Sequence, residues 1–421
     1  MAEQQRIVIN GGKPLEGEIP VQGAKNSALP LLAATVLCKG ETVLHNCPYL
    51  SDCDAACRIL ECIGCTCKRE KNTVVADSSV IGSTEVPTAL MREMRSSIIF
   101  LGSILGRCRS CKLSFPGGCE LGPRPIDFHL SALREMGAEI SEKHGYLECT
   151  APKGLHGARI TLSFSSVGAT ENIMLAAVLA EGVTEIHNAA REPEIVDLAN
   201  FLNKCGGKIS GAGGSTVAIE GVNSLHPCEH RIMPDRIAAA TYLCCGAITG
   251  GQLILSGASH NDLRPVTAVL EKTGVSLYTY GDGNIFINAR KPLMSPGTVR
   301  TGVHPGFPTD AQPPLMALTS LARGTTVFVE NIFENRFKHA SELVRLGAAI
   351  SVEGKVAVVQ GVKSLSGAEL MATDLRGGAA LITAALAAEG VSRISGLCHI
   401  DRGYEKIEEV LRSVGADIKR V

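Results

Sequence analysis

The sequence has almost no net charge and no long apolar run. Its 41 Lys and Arg residues nearly cancel its 42 Asp and Glu residues, which leaves a net charge of −1. This balance gives no support for a nucleic-acid or membrane-surface partner, so any anion site must be a local cluster of basic residues. No apolar stretch approaches the roughly 18–20 residues that a membrane-spanning helix needs.

The sequence also lacks a targeting segment and the common phosphate-binding motifs. Its first residues, MAEQQRIVIN, have neither the basic start nor the apolar run of a signal peptide, so we expect a cytoplasmic protein. Neither a Gly-rich P-loop nor a dinucleotide fingerprint occurs, so phosphate groups must be held in another way. A length of 421 residues, 45% of them hydrophobic, predicts two or more domains with ample cores.

Cysteine, in contrast, is abundant, with 16 residues. Without a secretory signal, disulfides are not expected. Cys62 and Cys65, like Cys108 and Cys111, have the C-x-x-C spacing of zinc knuckles, so a zinc site is one hypothesis. The alternative is that these thiols are small apolar core residues. The internal repeats described next favour the alternative.

Six segments of the chain share one pattern, the end of an amphipathic helix, a glycine and then a strand. They are RILECIGCTCKRE, SALREMGAEISEK, NFLNKCGGKISGA, AVLEKTGVSLYTY, ELVRLGAAISVEG and EVLRSVGADIKRV. The glycines at which these helices are predicted to stop in a left-handed turn lie 68 to 73 residues apart, at Gly64, Gly137, Gly206, Gly274, Gly347 and Gly415. Upstream of each segment, the sequence predicts a second helix that is rich in Ala and Leu, has few charges and is buried on nearly all sides.

Six units of about 70 residues therefore fill the chain as helix, strand, helix, strand, with one further strand. Arranged three and three, they give two similar α/β domains with buried helices inside and sheets around them. The first strand, QRIVIN, is free to join the last three units. Cys65 falls on a strand position that holds Ala, Gly or Val in the other units, and Cys62 is placed with Met136 and Cys205 at helix ends. A role as small apolar core residues therefore explains these thiols better than a metal site does.

The predicted buried helices begin with polar or charged residues. These are Lys25-Asn26, Arg95-Ser96, Asp235-Arg236, Thr309-Asp310 and Asp374-Leu375-Arg376. Asp and Thr are ordinary N-cap residues, so capping is an alternative to a functional role for them. Lys and Arg at the positive end of a helix dipole instead predict an anion nearby. If equivalent helix starts cluster, Lys25, Arg95, Arg236 and Arg376 would line a cleft for phosphate and carboxylate, with Arg124, Arg336 and Arg402 in neighbouring loops.

Several motifs resemble the UDP-N-acetylglucosamine 1-carboxyvinyltransferase family of enolpyruvyl transferases. They are GAKNSALP, FPGGCELGPRPIDFH, SSVGATENIMLAAV, HPGFPTDAQ, IFENRFKHASELVRLGA and HIDRGYEKIEEVLRSVGA, and the similarity runs from the first strand to the last residue. The resemblance implies a two-domain inside-out α/β barrel of six repeats, three per domain. One domain would be discontinuous, residues 1–22 plus 232–421, and the other would comprise residues 23–231.

The resemblance also implies the reaction. The enolpyruvyl group of phosphoenolpyruvate would pass to the 3-hydroxyl of UDP-N-acetylglucosamine with release of phosphate, the first committed step of peptidoglycan synthesis. Such chemistry needs a base at the hydroxyl, an acid at the methylene carbon and cations around phosphate and carboxylate. The implied partners are these two substrates, without nucleic acid, membrane, cofactor or metal, and the sequence makes no prediction of the oligomeric state.

The resemblance further assigns the site residues. Asp310 matches the base and sugar-hydroxyl ligand, and Cys119 matches a general acid that also accepts phosphoenolpyruvate covalently. Lys25, Arg124 and Arg402 match the phosphoenolpyruvate ligands, with Asn26 beside them, and Lys25 and Arg402 also count as catalytic. The implied sugar-nucleotide pocket comprises Arg95, Arg124, Pro125, Ile126, Asp127, Phe128, His129, Ser166, Val167, Gly168, Asp310 and Ile332. Secondary cleft residues are Arg236, Arg336, Asp374 and Arg376.

Two positions depart from the family pattern. Ser51 stands where some members carry Lys, and Phe164 stands where some have Lys near the uridine end. Both changes weaken the expected positive charge, so they bear on substrate affinity. Neither removes a residue that the chemistry requires.

The loop FPGGCELGPRP, which carries Cys119, is too rich in glycine and proline for a helix or a strand. We expect it to act as a lid in which Gly117, Gly118 and Gly122 allow the movement that brings Cys119 to phosphoenolpyruvate. Two rival functions stay open. Enolpyruvylshikimate-phosphate synthase shares the fold but lacks the Gly-Gly-Cys loop, and a non-catalytic paralogue that binds sugar nucleotides would have no use for both acid and base.

Overall fold

Short β-branched segments alternate with longer Ala- and Leu-rich stretches, and the chain accordingly folds into interleaved strands and helices. The structure, a computed structural model, describes residues 5–115, 126–143, 145–281 and 283–421. The strands are β1 (Ile7–Asn10), β2 (Glu16–Pro20), β3 (Glu41–His45), β4 (Thr66–Glu70), β5 (Thr73–Asp77), β6 (Glu85–Val86), β7 (Ser110–Ser114), β8 (Glu139–Lys143), β9 (Tyr146–Thr150), β10 (Arg159–Thr161), β11 (Val183–His187), β12 (Lys208–Ser210), β13 (Thr216–Glu220), β14 (Glu229–Arg231), β15 (Gln252–Ser256), β16 (Ser276–Tyr280), β17 (Asn284–Asn288), β18 (Thr298–Arg300), β19 (Thr325–Val329), β20 (Ala349–Glu353), β21 (Val356–Gln360), β22 (Glu369–Met371), β23 (Val391–Ser395) and β24 (Asp417–Arg420). The helices are α1 (Lys25–Thr35), α2 (Ser51–Cys62), α3 (Thr88–Glu93), α4 (Phe100–Cys108), α5 (Asp127–Glu135), α6 (Val167–Ala177), α7 (Pro193–Lys204), α8 (Arg236–Ile248), α9 (His260–Lys272), α10 (Gln312–Thr319), α11 (Ala340–Arg345), α12 (Leu375–Ala387), α13 (Leu397–Ile400) and α14 (Ile407–Ser413), with 3₁₀ turns at Arg95–Ile99 and Thr309–Ala311.

The described strands form six four-stranded sheets with one common pattern. The strand orders are β14-β3-β5-β4, β6-β7-β9-β8, β10-β11-β13-β12, β2-β15-β17-β16, β18-β19-β21-β20 and β22-β23-β1-β24. In each sheet the first pair is parallel and the next two pairs are antiparallel. Strand β1 lies between β23 and β24, with Ile9 opposite Ser392 and Ile418.

The sequence predicts three strands per unit, whereas each sheet has a fourth, parallel strand at one edge. Five of these edge strands contain only two or three residues each, and they are β6, β10, β14, β18 and β22. Segments such as RIT, EHR and TVR are too short to show a period of two, so periodicity could not reveal them.

The Ala- and Leu-rich helices form the interior of the molecule. Every residue of α8 and α10 is buried, as are ten of the eleven residues of α1. Helices α8, α10 and α12 pack against one another, and α4 packs against α1 and α6. The predicted buried helices are therefore confirmed, because a helix without a polar face is stable only when it is surrounded by protein.

The described chain divides into two compact units. One contains residues 5–22 and 234–421, and the other contains residues 23–115 and 126–233. Each unit has its own hydrophobic core. Ile232 and Met233 belong to the second unit, where their backbone N–H groups bond the carbonyl of His45 and the carboxylate of Asp197.

The helix-stopping glycines adopt the predicted left-handed conformation. All six have positive φ, with values between 90° and 100°. The placement of two cysteines was wrong by one residue. Ile63, not Cys62, precedes the glycine as Met136 and Cys205 do, because α2 ends at Cys62 with Ile63 as its C-cap. Cys65 is buried directly before β4 instead of lying in the strand.

Two negative findings concern the described residues. None of their helices is long and apolar enough to cross a membrane. Among the same residues, no three His, Cys, Asp or Glu side chains come together in a way that could hold a metal ion.

Candidate active site

The carboxylate of Asp310 is held by two buried arginines. Asp310 lies in the 3₁₀ turn Thr309–Ala311 that leads into α10. Arg336 Nη2 donates to Asp310 Oδ1 at 2.8 Å, and Arg376 Nε and Nη2 both lie 3.3 Å from Oδ2. The two arginine side chains are at most 3% exposed, whereas the carboxylate is 28% exposed. The arrangement therefore presents a carboxylate that is fixed by two guanidinium partners at an accessible position.

Each arginine is itself fixed in place. Arg336 also donates to the carbonyl of Thr309, from Nε at 3.2 Å and from Nη2 at 2.9 Å. Arg376 lies over the ring of Tyr404, 5.4 Å from its centroid. Burial lowers the pKa of Arg376, but Tyr404, Asp310 and Asp235 raise it, and the net pKa is above the ordinary value. Arg376 therefore remains a cation although it is buried.

Glu330 is a candidate site residue that the sequence did not reveal. Its buried carboxylate accepts hydrogen bonds from the backbone N–H of Ile332 (2.8 Å) and Phe333 (3.0 Å) and from the hydroxyl of Thr309 (3.0 Å). It thus joins the segment of Ile332, an expected sugar-nucleotide ligand, to the turn that carries Asp310. In the sequence, Glu330 stands out only as an acidic residue directly after the apolar strand β19.

The capping alternative is correct for two of the three aspartates at helix starts. Asp235 caps α8 by accepting from Ile237 N and Ala238 N, each at 2.9 Å. Asp374 caps α12 by accepting from Arg376 N and Gly377 N. Asp310, in contrast, accepts hydrogen bonds from the side chains of two arginines, Arg336 and Arg376.

In the other unit, Lys25 and Asp52 form a buried ion pair. Lys25 begins α1, and its Nζ lies 2.5 Å from Asp52 Oδ2 in the first turn of α2. Both side chains are less than 10% exposed. The anion predicted beside a cation at a helix start is therefore supplied, in this unit, by the protein itself. Ser51, the neighbour of Asp52, is exposed at the start of α2.

His129 is buried beside the start of α6. Its Nδ1 lies 2.8 Å from Asn172 Nδ2, and burial lowers its pKa to about 4. A Cβ atom on Gly168 would lie 3.2–3.4 Å from the His129 ring, so the ring faces the first turn of α6. The side chain of Ser166 caps this helix by accepting from Ala169 N at 3.4 Å. The structure thus brings His129 together with Gly168, both expected sugar-nucleotide residues.

The remaining expected site residues are placed individually. Arg95 begins the 3₁₀ turn Arg95–Ile99, and Asn26 is exposed beside Lys25. Arg402 lies between α13 and α14, in a segment whose Gly403 carbonyl and Glu405 N–H both bond the side chain of Gln22. The other expected residues differ in exposure. Arg236 is buried, Ile126, Phe128 and Val167 are partly buried, and Asp127 and Phe164 are exposed. Cys119, Arg124, Pro125 and the glycines of the expected lid lie outside the described residues.

The two buried histidines predict that acid destabilises the fold. Burial lowers the pKa of His129 and of His339 to about 4 from an ordinary value of 6.5. The unfolded chain therefore binds more protons, so each histidine's contribution is complete above about pH 6.5 and is lost as the pH falls towards 4. We expect each to cost about 2 kcal/mol of unfolding free energy between about pH 7.5 and pH 5.

This expectation can be tested by urea unfolding at the two pH values. His339→Gln should reduce the pH dependence of stability, while His260→Gln, which changes an exposed histidine at the start of α9, should preserve it. The same pH dependence in His339→Gln and the wild type would contradict the assignment.

Comparisons with known proteins agree over the whole chain. The family model described as EPSP synthase (3-phosphoshikimate 1-carboxyvinyltransferase) matches residues 9–411. UDP-N-acetylglucosamine 1-carboxyvinyltransferase 2 of Caldanaerobacter subterraneus is 51% identical, with 99% of both chains covered. UDP-N-acetylglucosamine 1-carboxyvinyltransferase of Zymomonas mobilis is 49% identical at the same coverage.

Solved structures give the same class of fold. The enolpyruvyl transferase NikO from Streptomyces tendae superimposes with a TM-score of 0.90 at 26% identity, with 99% of each chain covered. An EPSP synthase from Acinetobacter baumannii has a TM-score of 0.77 at 19% identity, which shows similarity of fold alone. The protein thus has the α/β fold of the enolpyruvyl transferases.

Sequence identity shows to which family of enolpyruvyl transferases the chain belongs. The chain belongs to the family of UDP-N-acetylglucosamine 1-carboxyvinyltransferases, because its curated relatives of that name are 46–51% identical over nearly their full length. The members of this family are transferase enzymes. The resemblance drawn from the sequence motifs is therefore confirmed.

Proposed function

We propose that this protein transfers the enolpyruvyl group of phosphoenolpyruvate to the 3-hydroxyl of UDP-N-acetylglucosamine, in the cytoplasm, as the first committed step of peptidoglycan synthesis. The observation that carries the proposal is the Asp310 carboxylate, held in one orientation by Arg336 and Arg376 and still accessible. It occurs in a chain that matches relatives of this name along 99% of its length.

The proposed reaction proceeds by addition and elimination. The sugar 3-oxygen loses its proton and forms a bond to C2 of phosphoenolpyruvate, while the C3 methylene takes up a proton and becomes a methyl group. The tetrahedral adduct then loses phosphate by cleavage of the C2–oxygen bond, and a proton leaves the methyl group to restore the double bond. Both steps need a base, an acid and cations near the phosphate.

We propose that Asp310 orients the sugar hydroxyl and accepts its proton. Because two guanidinium groups hold its carboxylate in one orientation, Asp310 is well placed to position the hydroxyl. Lys25, Arg124 and Arg402, with Asn26, would bind phosphoenolpyruvate, and Cys119 would act as the acid and as a covalent acceptor. Two buried arginines, Arg336 and Arg376, would hold Asp310.

We also propose that the two compact units are domains built as an inside-out α/β barrel, each from three repeats. Support comes from the six sheets of identical strand pattern and from three buried helices in each unit, α1, α4 and α6 in one and α8, α10 and α12 in the other. The boundaries predicted from the sequence are residues 1–22 plus 232–421 and residues 23–231, and the proposal keeps them except that Ile232 and Met233 go with the second unit, to which they are bonded.

The rival functions predict different substrate requirements. Purified protein should release phosphate from phosphoenolpyruvate only when UDP-N-acetylglucosamine is present. Release with shikimate 3-phosphate instead would favour an enolpyruvylshikimate-phosphate synthase. Binding of the sugar nucleotide without phosphate release would favour the non-catalytic paralogue. Fosfomycin, an epoxide that mimics phosphoenolpyruvate, should alkylate Cys119 and stop the reaction, which peptide mass spectrometry can locate.

A further inference from the structure

We propose that Asn172 is a positioning residue that holds His129 as the Nε2–H tautomer, so that His129 donates a hydrogen bond to an acceptor oxygen of the sugar nucleotide at the start of α6. The inference rests on the proposed function for the identity of the ligand. The tautomer itself follows from the hydrogen bonds of one buried amide.

The orientation of the Asn172 amide is fixed by two backbone groups. Gly102 N–H donates to Asn172 Oδ1 at 2.6 Å, and Asn172 Nδ2 donates to the carbonyl of Ile98 at 2.8 Å. A backbone N–H can only donate and a carbonyl can only accept. Exchanging the amide oxygen and nitrogen would break both bonds, so this amide has one possible orientation.

The second N–H of the same amide decides the state of His129. Asn172 Nδ2 carries two hydrogens, and its second contact is His129 Nδ1 at 2.8 Å. Because Nδ2 is a donor there, Nδ1 must be an acceptor and the ring proton lies on Nε2. A protonated ring would place N–H against N–H. The low pKa of His129, about 4, agrees with a neutral ring, and its cause is burial, without a contribution from a charged group among the described residues.

The acidic residues near Asn172 do not shift the pKa of His129. Glu171, its neighbour on α6, is fully buried, and burial raises its pKa, with Glu194 and Glu192 adding to the shift. These carboxylates do not appear among the causes that act on His129. The donor at Nε2 is therefore controlled by Asn172, whose amide does not titrate.

The position of Asn172 links three expected sugar-nucleotide segments. Its bonds reach the 3₁₀ turn that begins at Arg95, through Ile98, and helix α5, through His129. Asn172 itself lies on α6, whose first turn contains Val167 and Gly168. Since Gly168 has no side chain, the Nε2 edge of the ring is not covered there; a Cβ would lie 3.4 Å from Nε2.

The tautomer can be measured directly in the wild-type protein. In ¹⁵N NMR spectra, with the His129 signals assigned by comparison with His129→Gln, we expect the Nε2–H tautomer at neutral pH and no titration above about pH 5. Observation of the Nδ1–H tautomer, or of a charged ring, at neutral pH would overturn the proposal without reference to any substrate.

Asn172→Asp tests the consequence for binding. A carboxylate can still accept from Gly102 N–H, but it accepts a hydrogen bond from His129 Nδ1–H instead of donating one to Nδ1. The neutral ring then presents a lone pair at Nε2, so KM for UDP-N-acetylglucosamine should rise by about 10-fold or more. The pKa of His129 should rise by about 1–3 pH units, and KM should recover as the pH falls through it, because the charged ring again carries Nε2–H.

A matched control exists in the same unit. Asn203 also accepts a backbone N–H and donates to a backbone carbonyl, both of Ile209, without a histidine partner. Asn203→Asp removes an equivalent backbone bond and should leave KM and its pH profile unchanged. Two results would show that Asn172 has only a structural role. One is an equal effect of both substitutions on KM, and the other is a KM of Asn172→Asp that does not recover at low pH. Failure of the wild type to release phosphate would refute the proposed function while leaving the NMR result intact.

Discussion

Replacing Asp310 by asparagine should lower the turnover number by about 10²–10⁴-fold, the range found when a positioned acid–base group is removed. Asparagine preserves the shape of the side chain, but its NH₂ group cannot accept from Arg336 or Arg376, which both donate to Asp310 in the wild type. One oxygen contact is therefore lost together with the negative charge at the sugar hydroxyl. Phosphate release at saturating concentrations of both substrates measures the effect.

The control for Asp310→Asn is Asp417→Asn. Asp417 is exposed and pairs with Lys13 and Asn10 in the same unit, so its loss removes a surface ion pair of little energetic value. Its turnover should equal that of the wild type. A turnover within a factor of about two of the wild type in Asp310→Asn would show that this carboxylate takes no part in the chemical steps.

Lys25→Met should affect both stability and catalysis. It removes the ammonium group that lies 2.5 Å from a carboxylate that is only 2% exposed. Breaking a buried ion pair from one side costs about 3–5 kcal/mol. The expected loss of a phosphoenolpyruvate ligand should also raise KM for phosphoenolpyruvate. Urea unfolding and steady-state kinetics measure the two effects separately.

The double variant Lys25→Met/Asp52→Asn separates the two roles of Lys25. Removing the charge of Asp52 as well should recover most of the stability, since no charged partner is then left behind. Catalysis should not recover, because the ammonium group is still missing. Recovery of both properties would mean that Lys25 serves the fold alone and that phosphoenolpyruvate is bound by other residues.

The sequence predicts the elements better than it predicts their contacts. Gly347 and its five counterparts end helices in left-handed turns as expected, because a helix that stops leaves a local signal in a glycine. The buried helices are equally visible, since an Ala- and Leu-rich stretch has no polar face. Three-residue edge strands such as β18 leave no such signal, because their stability comes from the parallel partner β19.

The network around the site could not be predicted because its partners are distant in sequence. Arg376 and Asp310 are 66 residues apart, and Asn172 and Ile98 are 74 apart. Lone polar residues in apolar segments, such as Asn172 in ENIMLAAV, were the only signals of these contacts. The family resemblance predicts a role for Asp310, whereas Glu330 and Asn172 became candidates only through the hydrogen bonds that they make.

The fate of one oxygen atom tests the proposed reaction most directly. Phosphoenolpyruvate labelled with ¹⁸O at the bridging position should be incubated with the protein and UDP-N-acetylglucosamine, and both products analysed by mass spectrometry. Addition at C2 followed by elimination predicts that the label leaves with phosphate and that the sugar nucleotide gains an unlabelled enolpyruvyl group. Label retained on the three-carbon fragment, which requires cleavage between phosphorus and the bridging oxygen, would contradict it.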